Sequence, residues 1–111
     1  MIFAVVRINF AGIHCWPSAP SGKHEHLRNP HRHLFHATVR VEQKHDDRDL
    51  EFLAFKDKLE EELKSWSFHL GSKSCEMMAS KIIEWTKKNF GSERKVEVEV
   101  SEDGENGALV L

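Results

Sequence analysis

An α+β domain with the element order ββααββ is the fold the chain predicts, and three observations predict it. Apolar residues alternate with polar ones over residues 2–14, 31–42 and 96–100, the period of a half-buried strand. Between the second and third of these stretches the spacing changes to three and four, the period of an amphipathic helix. At 111 residues the chain is long enough for one core and too short for two, so a single domain spanning residues 1–111 is expected.

The first strand, residues 2–14, carries Ile2, Ala4, Val6, Ile8 and Phe10 on one face, with Val5, Arg7 and Asn9 among those opposite, and its apolar face ends at His14. Residues 15–30, "CWPSAPSGKHEHLRNP", hold all three prolines and read as a loop, of a length that is usually functional. The second strand puts His31, His33, Phe35, Ala37, Val39 and Val41 on one face, with Arg32, His36, Thr38, Arg40 and Glu42 opposite. After the turn "KHDDRD", Phe52, Phe55, Leu59, Leu63 and Trp66 mark a helix. Ser74 is the expected N-cap of a second helix with Met78, Ile82 and Trp85 on its buried stripe, Glu76 in its first turn and "NFGS" as its end. "KVEVEVSE", a "DGENG" turn and "ALVL" close the chain as a hairpin.

Composition narrows the function classes. Lys and Arg number 16 against 18 Asp and Glu, with no basic cluster, which disfavours nucleic acid as a partner. No run approaches the roughly 20 apolar residues of a membrane helix, and "MIFAVVRINFAG" lacks a basic leader, so a cytoplasmic protein without membrane association is expected. Cys15 and Cys75 form no CxxC pair and indicate neither a disulfide framework nor a zinc knuckle. The unusual total is eight histidines, six of which (14, 24, 26, 31, 33 and 36) fall close together.

If the first two strands pair antiparallel, His14, His31 and His33 meet at one end of the sheet, all on the core side. An imidazole there is costly unless its nitrogens find partners, and a metal ion supplies one to each ring. Three neutral imidazoles leave a fourth position open, as in catalytic rather than structural zinc sites. Zinc is the first choice, and imidazole ligation also suits iron, copper or nickel. Taken singly, each histidine reads as a loop or surface residue; the trio reads as a metal site.

These residues resemble the 6-pyruvoyl- and 6-carboxy-tetrahydropterin synthases over nearly the whole chain. "FAGIHCWP" is similar to the family's F-x-A-A-H-R-L-P, "HRHLF" to H-G-H-N-Y or H-G-H-S-F, "RDLEFLAFK" to G-x-x-x-D-F-x-x-L-K with Glu51 for the aspartate, "KSCEMMA" to P-T-x-E-N-L-A, and "VEVSE" to V-x-V-x-E-T. The resemblance implies a T-fold, in which ββααββ forms a four-stranded antiparallel sheet with two helices on one face. It also implies Zn2+ on His14, His31 and His33, and assembly into a homo-oligomer, a trimer or hexamer closed through sheet edges. Glu102 would anchor the 2-amino-4-oxo edge of a pterin, since a carboxylate accepts two N–H donors at once. Ser74, Cys75 and Glu76 would line the pterin; helix capping alone accounts for Ser74 and Glu76 about equally well.

Two departures mark the chain. The family's catalytic cysteine is replaced by Leu27 in a longer loop, so Glu25 or His26 takes its place as the candidate base. The family's L-D-H-x-x-L-N stretch is shortened to "SFHLGSK", where His69 corresponds to the histidine without its aspartate. The resemblance therefore implies a zinc-dependent lyase or isomerase acting on the side chain of a reduced pterin. The alternative is a diverged T-fold protein that binds metal and a pterin or purine without turnover. A purely structural zinc is disfavoured, because such sites use four protein ligands and three are apparent.

Overall fold

The computed structural model describes residues 1–111 as α+β, in the order β1 (Ile2–His14), β2 (His31–Gln43), α1 (Phe52–Ser65), β3 (His69–Gly71), α2 (Cys75–Phe90), β4 (Val96–Glu102) and β5 (Asn106–Val110). The sheet order is β3-β1-β2-β4-β5. Four strands are antiparallel, as expected, but the sheet has five and is mixed, because β3 runs parallel to β1 beside Ile13 and His14. Gly12 makes room for this extra strand. A Cβ there would lie 2.5 Å from Leu70 Cδ1, so a side chain at this position would require the buried Leu70 to shift.

Alternation in β1, β2 and β4 delivers Val6, Ile8, Phe35, Ala37, Val39, Val41, Val96, Val98 and Val100 to one core, which Phe55, Leu59 and Leu63 of α1 and Met78, Ala79 and Ile82 of α2 cover. Both helices therefore lie on the same face. Glu51 caps α1 by accepting from the N–H groups of Leu53 and Ala54, and Ser74 caps α2 by accepting from Met77 N–H. α2 stops at Gly91, whose φ of 130° is a conformation that side-chain-bearing residues rarely adopt. No helix is long and apolar enough to cross a membrane.

One ion pair joins the two connections at the far end of the sheet from the histidines. Arg94, 8% exposed, donates to Asp49 at 2.8 Å and also to the carbonyl oxygens of Glu42 and Phe90. Donation by the guanidinium, then by the Lys44 N–H, holds the Asp49 carboxyl well below the usual carboxylate range. A carboxyl lowered in the folded state stabilises the fold above its unfolded pKa of about 4, and this stabilisation is lost as pH falls below that value. The stability difference between wild type and Asp49→Asn should accordingly shrink when urea midpoints are compared at progressively lower pH from about 5 to about 2.

Candidate metal centre

The site grows out of strand register. β1 and β2 pair with His14 opposite His31, Gly12 opposite His33 and Phe10 opposite Phe35, so the three histidines share a face and an end of the sheet. β4 lies on the other side of β2 with Glu102 opposite Phe35. Cross-strand partners share a face, and a diagonal neighbour is within reach of a long side chain. Glu102 is the diagonal neighbour of His33, and its carboxylate reaches the imidazoles.

One nitrogen from each of His14, His31 and His33 and one oxygen of Glu102 all lie within 4.8 Å of one another. Glu102 Oε2 is 3.3 Å from His14 Nε2 and 2.5 Å from His33 Nε2. The rings meet edge to face, with centroids 4.6 Å apart for His14 and His31 and 5.0 Å for His31 and His33. Phe35 closes the core side, its ring edge-on to both His14 and His33.

The opposite nitrogen of every ring is already engaged. His14 Nδ1 is 2.8 Å from Lys73 O, His31 Nδ1 is 2.9 Å from Asn29 O, and His33 Nδ1 is 2.7 Å from Asp103 Oδ2. A carbonyl or ionised carboxylate oxygen can only accept, so each Nδ1 must be the protonated, donating nitrogen. In the neutral rings each Nε2 is then a bare lone pair. Three such lone pairs and a carboxylate face one another with no donor between them, an arrangement that a cation relieves. His33 Nε2 is buried without a hydrogen-bond partner, for the close Glu102 oxygen lacks hydrogen-bond geometry. An orphaned buried acceptor surrounded by three further donor atoms is what a divalent metal site requires, and these residues fit one.

The three histidines expected as ligands come together, and a fourth side chain lies with them. Glu102, read from the resemblance as a pterin anchor, brings a carboxylate oxygen to the imidazoles, because β4 pairs with β2. The centre still reaches the surface: the side chains of His14, His33 and Glu102 are 10%, 21% and 33% exposed.

The proposed acid–base residues are not brought to this centre. Glu25 lies in an exposed 3-10 turn (Glu25–Arg28) and accepts from Gly22 N–H within its own loop. His26 is exposed beside His24 in the same turn. His69 pairs with Ile13 in β3, and the alternation that buries Leu70 turns His69 to the outer side of the sheet, against Phe68. Cys75, expected to line a pterin, faces the core, since it falls on the α2 stripe with Met78, Ala79 and Ile82. Burial pushes its thiol up to about 12, with the Glu102 and Glu76 carboxylates adding to the shift. Ser74 is used as a helix cap, and Glu76 is exposed in the first turn of α2.

Sequence reasoning missed the supporting acceptors, Lys73 O, Asn29 O and Asp103. Two are backbone carbonyls and leave no mark in a sequence. Asp103 was legible only as half of an Asp-Gly turn. No family model matches the chain, and no curated protein matches it.

Proposed function

We propose that this chain is a zinc protein of the T-fold type that processes the side chain of a reduced pterin, with lyase or isomerase chemistry. The observation that carries the metal is the convergence of one nitrogen from each of His14, His31 and His33 with a Glu102 oxygen, while the Nδ1 of every ring meets an acceptor. His14, His31 and His33 would hold the ion. When bound, it would polarise substrate oxygens and acidify the proton to be moved. The pterin rests on the motif resemblance, with partial exposure of the centre leaving a small molecule a way in.

Glu102 has two competing uses, as a metal donor or as the acceptor for the ring edge, and a carboxylate suits either. A second reading, metal and pterin or purine binding without turnover, draws support from Glu25, His26 and His69 lying outside the group of converging donors. A base from a neighbouring copy would restore the first reading.

Assembly is part of the proposal. β1 is paired on its outer edge only at Ile13 and His14, and β5 has no outer partner, so two strand edges are open, which proteins usually cover or pair. The chain measures 51 × 24 × 22 Å with a radius of gyration of 15.2 Å, against about 13 Å for a compact domain of this length. Both features suit strand pairing between copies in a trimer or hexamer.

The test is turnover of dihydroneopterin triphosphate by the zinc-loaded protein, alongside calorimetric binding of pterins. Turnover supports the enzyme, binding alone the second reading, and neither result overturns both. In the same assays Glu102→Gln separates its two uses: lost zinc affinity marks a metal donor, whereas retained zinc with lost pterin binding marks the ring anchor.

A further inference from the structure

Asp103 occupies the first central position of the β4–β5 hairpin. It and Gly104 both have positive φ, 56° and 74°, and Glu105 N–H donates to Glu102 O across the turn. Two central residues at positive φ are the pattern of a type I′ turn, which favours Asp-Gly and Asn-Gly. That accounts for the backbone and leaves the side chain free for another task. Its Oδ1 accepts from Leu34 N–H at 2.9 Å and its Oδ2 from His33 Nδ1 at 2.7 Å, while its own N–H donates to Leu34 O. The carboxylate is thus pinned on one oxygen to β2 and spends the other on the imidazole whose Nε2 is the buried orphan of the centre.

From this geometry we infer that Asp103 is the positioning residue of the metal centre: it sets the tautomer and orientation of His33 so that its Nε2 lone pair faces the ion. The inference rests on the metal reading and deepens it. A carboxylate behind a ligating histidine fixes the ring and strengthens it as a donor, and loss of such a partner typically lowers metal affinity 10- to 100-fold. The other two rings take backbone carbonyls, which no side-chain substitution removes, so His33 is the one ligand whose orientation a single side chain controls. The motif V-x-V-x-E-T has threonine at this position, so the carboxylate is a feature of this chain.

Asp103→Asn isolates the effect. Asparagine suits the same turn, and its carbonyl still accepts from Leu34 N–H, leaving its amide N–H facing His33 Nδ1. The amide can only donate, so the ring must move its proton to Nε2, where it opposes the ion. Zinc affinity, measured by competition with a chromophoric chelator, is expected to fall 10- to 100-fold. Thermal stability of the metal-free variant should stay at the wild-type value. Nitrogen-15 NMR of the metal-free proteins should show the His33 proton on Nδ1 in wild type and on Nε2 in the variant. Wild-type zinc affinity in Asp103→Asn, or an unchanged His33 tautomer, overturns the inference alone. A wild-type protein that binds no zinc overturns it together with the metal reading.

Discussion

Alanine at His31 or His33 is expected to strip stoichiometric zinc from the purified protein, whereas alanine at His45 leaves it in place. His31 and His33 belong to the group whose donor atoms lie within 4.8 Å of one another; His45 is in the turn after β2, 3.9 Å from Asp49 and outside that group. Each protein donor to a bound zinc contributes on the order of 3 kcal/mol, so one lost imidazole weakens binding about 100-fold or more. Metal analysis after dialysis against a weak chelator reads this directly. Equal zinc loss in all three variants would remove the basis for assigning these histidines.

The second large effect is expected from Phe35→Ala, at two levels. Phe35 is fully buried, 0% exposed, and stacks on Phe10 with ring centroids 5.5 Å apart. Truncating such a residue costs about 3–5 kcal/mol, and in a domain of this size Tm should fall by more than about 10 °C. The same ring meets His14 at 5.1 Å and His33 at 5.6 Å, centroid to centroid, and so forms the floor of the candidate metal centre. Phe55→Ala is the control, because Phe55 is equally deep but packs against Trp85 and Phe90 instead. Both variants should lose stability, and only Phe35→Ala should also lose zinc affinity when both are measured below their melting temperatures. Equal zinc affinity in the two variants would separate the aromatic floor from the site.

Most elements were legible because each carries a period or a cap. β1 covers the stretch its alternation marks, α2 begins behind Ser74, and the β4–β5 hairpin turns at Asp103-Gly104. β3 was not legible. Its three residues are too few to display a period, and Leu70 packs against β1 at Gly12, a long-range contact that no local pattern announces. The loop of residues 15–30 likewise hid the short 3-10 turn, closed by local bonds such as Leu27 N–H to His24 O.

Period two alone assigned His14, His31, His33 and Glu102 to the face that holds the core, because side chains in a strand alternate strictly. It could not say which strand lies beside which. Glu102 reaches His33 only because β4 pairs with β2 in the register that sets Glu102 opposite Phe35, a choice made by the packing of Val96, Val98 and Val100 under α2. Nor could it say which nitrogen of each ring is left to face the cluster. That was decided by Lys73 O, Asn29 O and Asp103, acceptors supplied by three different connections. Donor types and their face are local properties of a chain, whereas the direction of a lone pair depends on what the completed fold sets behind it.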